Sequence, residues 1–226
     1  MNIFNFKKAN SFFAQTRKKR AKWAKRLLEK WEKMHVSFFD HRIDELNWPE
    51  NIFWIERGAF ARLYMDKGAK ILDLCCGDGY FSEIFWAPAA SHIDAVDRNN
   101  KALTLAKCEH PHLVITHHKI DILREPFPDS GYDMVCFFEA IEHFSSQNAA
   151  GILKEIKQSL KPGGVLVGPT PLIEPEMRGK GNFEHANEFI ESHSLETFLA
   201  EVFTDVETFE TYHPNRKTIY FKCKKT

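Results

Sequence analysis

The sequence predicts an α/β fold, a doubly wound sheet of seven strands that is mostly parallel and ends in an antiparallel strand. Three observations lead to this prediction. From residue 68 onward, short apolar or β-branched runs alternate with helical stretches, as in parallel sheets covered on both faces. The first run enters a glycine-rich turn, which is typical of strand-to-helix connections in such sheets. The last two runs are joined by a connection too short for a parallel crossover, so the final strand is expected to be antiparallel.

Each element follows from its local composition. The strand at 132–138 is apolar throughout, as expected for a strand buried on both faces. The helix at 149–160 carries its apolar side chains on one face and ends at the Lys-Pro-Gly-Gly sequence of 161–164. The predicted strands are 70–74, 93–96, 112–120, 132–138, 165–167, 206–212 and 218–222. The predicted helices of this region are 80–86, 99–108, 149–160 and 194–203.

We divide the chain into a helical extension at residues 1–66 and a sheet domain at 67–226. The formal net charge is zero, but residues 1–33 carry eleven basic and two acidic side chains, so this segment is +9 and the remainder is −9. Apolar residues at i, i+3, i+4 and i+7 predict a basic amphipathic helix at about 10–34. Such a helix either packs on its own domain with a solvated basic face or contacts an anionic membrane surface, nucleic acid or an acidic partner.

Composition narrows the class of protein further. With 43% hydrophobic and 27% charged residues, the chain is neither disordered nor of low complexity. No apolar run approaches the roughly 20 residues that span a bilayer, and the first residues lack the features of a secretory signal. The five cysteines include the adjacent Cys75 and Cys76 but no CxxC spacing. We therefore expect reduced thiols, no disulfide framework or zinc site, and a cytoplasmic location.

The glycine turn after the first strand is the candidate ligand site. Gly77 and Gly79 allow a sharp turn and let a ligand approach bare backbone at the carboxyl edge, where open α/β sheets bind ligands. A dinucleotide-binding turn has a third glycine, whereas Ser82 follows here. The carboxylates of Asp73 and Asp78 would repel a pyrophosphate and attract a cation. The turn therefore favours a ligand with a cationic group.

This pattern resembles the class I S-adenosylmethionine-dependent methyltransferases, which have a Rossmann-like fold. Over residues 68–226 the similarity includes the acidic glycine turn, the acids that follow the second and third strands, and the Lys-Pro-Gly-Gly turn. It implies S-adenosylmethionine as the cofactor and S-adenosylhomocysteine as the product. It also implies that Asp73 faces the ammonium end of the cofactor, Asp97 the ribose hydroxyls and Asp121 the adenine. The implied cofactor-binding residues are Asp73, Cys75, Gly77, Gly79, Asp97, Arg98, Asp121, Ile122 and Phe138.

Single positions of this set also have local interpretations. Asp97 fits a cap on the helix that follows it, and Asp121 fits an ordinary turn residue. Cys75 stands where many members of the family have a glycine. The order and spacing of the whole set favour the cofactor site over these separate interpretations.

The reaction that the resemblance implies needs a base when the nucleophile is a hydroxyl. Glu142 and His143 follow the fourth strand, where such a base would stand. Histidine suits this role because its usual pKa is close to neutral pH. We therefore assign His143 as the candidate general base, with Glu142 as its candidate catalytic partner. The alternative is a structural role, since this Glu-His pair recurs in the family without catalysing anything.

Four residues offer the ligand types of a metal site. Glu139, Glu142 and His143 form an E-x-x-E-H pattern, and His185 follows 42 positions after His143. This pattern resembles that of metal-dependent small-RNA 3′-terminal 2′-O-methyltransferases and of ubiquinone-pathway O-methyltransferases. A metal there would lower the pKa of the acceptor hydroxyl. The histidine that the RNA enzymes place before a Phe-Glu pair is absent, with Gly181 near that place, so a divalent metal is not the favoured interpretation.

The acceptor is expected to be a small molecule, a glycan or a lipid-linked compound that is methylated on oxygen. In the family, extensions such as residues 1–66 form a lid over the acceptor, and the loop at 170–182 belongs to the same edge of the sheet. Trp54, Arg57 and Tyr64 are candidates to line the pocket.

Other functions stay open at this point. Nucleic acid is not the expected partner, because the chain outside the basic segment carries a charge of −9. The alternatives are a metal-assisted RNA 2′-O-methyltransferase that uses Glu139, Glu142 and His143, and a non-catalytic cofactor-binding module. Contact of the basic helix with a membrane surface fits a lipid-linked acceptor. The oligomeric state is left open.

Overall fold

The structure is a computed structural model that describes residues 52–177, 179, 185–213 and 216–226. The predicted basic helix at about 10–34 and most of the predicted extension lie outside the described residues, so both stay predictions. Among the residues that the structure describes, no helix is both long and apolar enough to cross a membrane.

The predicted sheet is confirmed. Its strands are β1 (Lys70–Leu74), β2 (His92–Asp97), β3 (Ile115–Lys119), β4 (Tyr132–Phe137), β5 (Leu160–Pro171), β6 (Asp205–His213) and β7 (Arg216–Lys224). They form one seven-stranded sheet in the order β3-β2-β1-β4-β5-β7-β6. The pairs from β3 to β5 are parallel, whereas β7 is antiparallel to both β5 and β6. The order in which strands are added reverses at β1, because β2 and β3 lie on one side of β1 and β4 and β5 lie on the other. Sheets of this kind bind ligands in the crevice beyond the carboxyl ends of the two strands at this point, here β1 and β4.

Four helices cover the sheet in the described part of the chain. They are α1 (Ile52–Leu63), α2 (Asn100–Glu109), α3 (Ser146–Ser159) and α4 (Ser192–Ala200). Shorter helical turns occur at Ser82–Trp86, Ile141–His143 and Pro175–Met177. The predicted helix at 80–86 ends in a π-helical turn, in which the Ala87 amide donates to the Ser82 carbonyl at 2.8 Å.

Two strand boundaries differ from the predicted ones for local reasons. The strand predicted at 112–120 begins only at Ile115, because the Ile115 amide donates to the His112 carbonyl at 3.0 Å and closes a turn there. The strand predicted at 165–167 extends over Leu160–Pro171, since its last residues pair with β7. The long strand carries Thr170 to the carboxyl edge of the sheet.

The core consists of two apolar layers, one on each face of the sheet. Alternation along β1 puts Leu72 and Leu74 in the layer with α3 and α4, and Ile71 in the layer with α1 and the π-helical turn. Asp73 therefore faces the same side as Ile71, where Phe60 of α1 is buried. This arrangement brings α1 and the glycine turn to one side of the crevice.

Candidate active site

The glycine turn requires a backbone that side chains rarely adopt. Gly77 and Gly79 have φ values of 57° and 80°, and Cys75 between β1 and the turn has φ 58°. A Cβ added at Gly79 would stand 3.1 Å from the Cβ of Ala106 on α2, so the turn packs directly on that helix. A non-glycine residue in this conformation costs about 1–3 kcal/mol, and such strain occurs mostly at functional sites. Burial raises the pKa of the Cys75 thiol, so this residue is not an activated nucleophile.

Asp97 joins the glycine turn to the end of β2. Its Oδ2 accepts a hydrogen bond from the Gly77 amide at 3.0 Å, and its Oδ1 accepts one from the Asn99 amide at 2.7 Å. The side chain that caps α2 is Asn99, which accepts from the Lys101 and Ala102 amides. Asp97 is therefore not the helix cap, and its buried carboxylate is held against the turn. Burial raises its pKa despite these hydrogen bonds.

Asp73 is a deeply buried acid beside the turn. Its Oδ2 accepts a hydrogen bond from the Ser82 hydroxyl at 2.5 Å, and the residue is 3% exposed. Burial, with a smaller contribution from the charges of Asp97 and Asp78, raises the pKa of Asp73 to about 8 against the opposing Ser82 bond. Three carboxyl groups thus surround one turn, a setting that disfavours an anion and favours a positively charged ligand.

The remaining predicted cofactor residues lie around this turn in different environments. Ile122 and Phe138 are both buried, and the Phe138 ring packs on Phe81 with centroids 5.1 Å apart. Arg98 is exposed directly after β2. Asp121 does form a local turn, since its Oδ1 accepts from the Leu123 amide at 3.2 Å. Its second oxygen lies 3.5 Å from the Arg124 guanidinium.

At the exit of β4, Glu139 binds two arginines. Its Oε1 lies 2.9 Å from Nη2 of Arg57 on α1, and its Oε2 accepts from the guanidinium of Arg216 at the start of β7. Glu139 has φ 46°. Among the described residues, only Cys75 and Glu139 have a left-handed backbone without being glycine. Arg57 is fully buried beneath its partners, with its guanidinium 4.6 Å from the centre of the Trp54 ring. Glu139 is thus engaged by arginines rather than grouped with the other predicted metal ligands.

The three residues predicted to line the pocket lie in two places, and their role as pocket residues stays a prediction. Trp54 and Arg57, two of the predicted pocket residues, lie together, while the Tyr64 ring packs on Phe60 with centroids 5.2 Å apart. Arg216 was missed, because no local motif marks it. The one usable signal is that a final antiparallel strand must begin at the carboxyl edge of the sheet.

Glu142, His143 and His185 come together next to this ion pair. The Glu142 carboxyl is buried and accepts from the Thr170 hydroxyl at 2.9 Å, whereas His143 is exposed. The Glu142 carbonyl accepts from the Ala186 amide at 2.8 Å, and the His143 and His185 rings lie 5.2 Å apart. One ligand atom from each of the three residues lies within 4.8 Å of the others.

Burial sets the protonation of this group. Burial, together with the charge of Glu139, raises the pKa of Glu142 to about 8. Burial also lowers the pKa of His185, as does the neighbouring His143. At neutral pH Glu142 is therefore mostly protonated and His185 mostly neutral, beside the exposed imidazole of His143.

The fold and the site together define a class of protein. A doubly wound sheet with an acid-lined glycine turn binds a ligand that carries a positive charge at the β1/β4 crevice. A protein-family model described as a methyltransferase domain matches residues 71–164. The malonyl-[acyl-carrier protein] O-methyltransferase of Erwinia billingiae is 31% identical over 46% of this chain and 39% of its own. The ubiquinone biosynthesis O-methyltransferase of Aromatoleum aromaticum is 29% identical over 54% of this chain and 50% of its own.

A solved structure has the same fold over most of the chain. The N-methyltransferase NodS from Bradyrhizobium japonicum, in complex with S-adenosylhomocysteine, aligns with a TM-score of 0.66 at 19% identity, covering 87% of this chain and 97% of its own. The chain spans about half or less of the length of the curated relatives it matches. Residues 71–164 thus match a methyltransferase domain, and the fold is the Rossmann-like fold that NodS also has.

Proposed function

We propose that this protein transfers the methyl group of S-adenosylmethionine to an oxygen of a small-molecule, glycan or lipid-linked acceptor. The observation that carries the proposal is the group of buried acids around the glycine turn, together with an exposed histidine after β4. Two relatives are named O-methyltransferases, which supports oxygen as the nucleophile.

The residues of the chain have separate tasks in this reaction. When bound, S-adenosylmethionine would supply a methyl group carried by a sulfonium. The sulfur is the leaving group and becomes the neutral thioether of S-adenosylhomocysteine. Asp97 and Asp73 hold the two ends of the cofactor, one through hydroxyl hydrogen bonds and the other through charge. His143 takes the proton of the acceptor hydroxyl as the oxygen attacks in line. Glu142 is buried and bonded to Thr170, so it positions His143 rather than meeting the acceptor.

Proton release on cofactor binding tests the assignment of Asp73. The pKa of Asp73 is about 8 in the free protein, so the group is mostly protonated at neutral pH. An ammonium group bound nearby stabilises the carboxylate and lowers this pKa. The affinity for S-adenosylhomocysteine is therefore expected to rise from about pH 6 to about pH 8.5 and then to level off.

Calorimetry in buffers of different ionisation enthalpy measures this release. Asp73→Asn keeps the shape of the side chain and should remove the proton released by this group. Affinity that does not change with pH in the wild-type protein would contradict the role of Asp73. Uptake of NAD in place of S-adenosylhomocysteine would overturn the proposed function as a whole.

Metal-assisted methylation is a second candidate, favoured by one observation. Glu142, His143 and His185 present ligand atoms within 4.8 Å of one another, although Glu139 is engaged elsewhere. Two histidines and a carboxylate suit several divalent metals and leave positions for an acceptor hydroxyl. A metal there would assist ionisation of that hydroxyl.

Chelation separates the two candidates. In the metal-assisted reaction, EDTA is expected to lower methyl transfer at least tenfold, with recovery on adding Mn²⁺ or Mg²⁺. His185→Ala would then weaken the response to added metal. An unchanged rate after chelation eliminates this candidate and leaves His143 as the base. RNA belongs in the acceptor panel of this assay, and steep loss of turnover with salt would indicate it as the acceptor.

A further inference from the structure

Arg216 reaches the candidate active site from the far end of the sequence. Strand β7 is antiparallel to β5, so it begins at the carboxyl edge, where the other strands end. Pro171, the last residue of β5, pairs with Thr218, and Arg216 lies two residues beyond this pair. Its side chain crosses to Glu139 at the exit of β4. The last strand thus brings a cation to the edge at which the acceptor must enter.

Contacts with Glu139 hold this cation in place. One oxygen of Glu139 accepts from Arg216, while the other pairs with the buried Arg57. The Arg216 side chain is nevertheless 29% exposed, so a bound acceptor can reach part of it. A guanidinium stays charged at every pH at which the protein is folded. An acceptor bound here therefore meets a fixed and oriented positive charge.

Nearby acids are already engaged by other side chains. Glu56, next to Arg57 on α1, accepts from the hydroxyls of Tyr220 and Thr211 at 2.6 and 2.8 Å. Its second oxygen lies 3.0 Å from Nε2 of His213. These bonds direct the Glu56 carboxylate towards the β6–β7 hairpin, so it does not compete with an acceptor for Arg216.

We propose that the acceptor carries a carboxylate or phosphate group near its reacting hydroxyl, and that Arg216 binds this group. The inference rests on the proposed function, and it adds the class of acceptor. The planar fork of a guanidinium matches both anions through paired N–H donors. A neutral acceptor would remove water from the exposed part of the Arg216 side chain and offer no anion in return, which is unfavourable.

Binding of small aromatic compounds to the protein saturated with S-adenosylhomocysteine tests the proposal without any turnover. The probes are 4-hydroxybenzoate, its neutral methyl ester and phenyl phosphate, each measured by calorimetry. The benzoate is expected to bind at least about tenfold more tightly than the ester. Arg216→Gln should abolish this preference, and Arg216→Lys should keep part of it. Comparison of the benzoate with phenyl phosphate tells which anion the site prefers.

Lys222→Gln is the matched control, because Lys222 lies on the same strand and pairs with Asp205 and Glu207 away from the site. It removes the same charge and should leave the preference intact. An ester that binds as tightly as the acid overturns the proposal, as does a preference that survives Arg216→Gln, or failure of both anions to bind. If Arg216→Gln does not fold, Arg216→Lys decides the matter. Failure of the proposed function is distinguishable, since it appears as absent methyl transfer while the binding preference persists.

Discussion

Asp97→Ala is expected to weaken the binding of S-adenosylhomocysteine about 100-fold or more. The substitution removes both oxygens that accept from the Gly77 and Asn99 amides. These oxygens are also the proposed acceptor of the ribose hydroxyls. A hydrogen bond to a charged group contributes roughly 1.5–3 kcal/mol, and each 1.4 kcal/mol is about a tenfold change in affinity. Calorimetry at fixed pH and salt measures the loss directly.

Asp129→Ala is the control for this experiment. Asp129 is an exposed carboxylate that pairs with Lys70, the first residue of β1, at the opposite edge of the sheet from the turn. Its removal changes the net charge equally but should leave cofactor affinity near the wild-type value. Asp97→Asn separates charge from shape, because the amide keeps the size of the side chain and places a donor against one of the two amides. Wild-type affinity in either Asp97 variant would contradict the assigned role.

Local sequence patterns were sufficient to predict a doubly wound, mostly parallel sheet with an antiparallel last strand. They also place the predicted cofactor turn directly after β1. The alternation of strands and helices leaves few topologies, and the short β6–β7 connection forces an antiparallel pair. Gly77, Gly79 and Asp97 could be assigned because each follows a strand at the edge where ligands bind. The boundaries were less predictable. The start of β3 depends on a turn at His112, and the length of β5 depends on pairing with a strand about 50 residues later.

The acceptor side of the site depends on long-range contacts that sequence patterns do not contain. Arg57, Glu139 and Arg216 belong to three elements, and only the folded sheet brings them together. Glu139 was a reasonable metal-ligand candidate from its spacing to Glu142 and His143. In the structure the Glu139 side chain contacts arginines instead. Glu139 has a left-handed backbone, whereas Glu142 and His143 belong to the helical turn that follows it. The Glu-x-x-Glu-His pattern therefore drew attention to these residues, but it could not predict that Glu139 pairs with arginines.

His143→Ala is expected to lower the rate of methyl transfer by about 100-fold to 10,000-fold, the usual contribution of a general base. Affinity for S-adenosylhomocysteine should stay nearly unchanged, because the cofactor contacts assigned to Asp97 and the glycine turn remain. Single-turnover transfer of a labelled methyl group measures the rate, and calorimetry measures the affinity. His193→Ala, which removes an exposed histidine of α4, should alter neither quantity.

A structural role for His143 makes different predictions, so the two can be separated. If His143 only packs against His185, its loss should lower the thermal midpoint and impair the rate and the cofactor affinity together. If it is the base, added imidazole should restore part of the rate in His143→Ala, since a free imidazole can occupy the space and accept the proton. Glu142→Gln keeps the bond to Thr170 and should retain most of the activity, because Glu142 acts only by holding its neighbour. An unaltered rate in His143→Ala would refute the base assignment and turn attention to acceptors whose nucleophile needs no deprotonation.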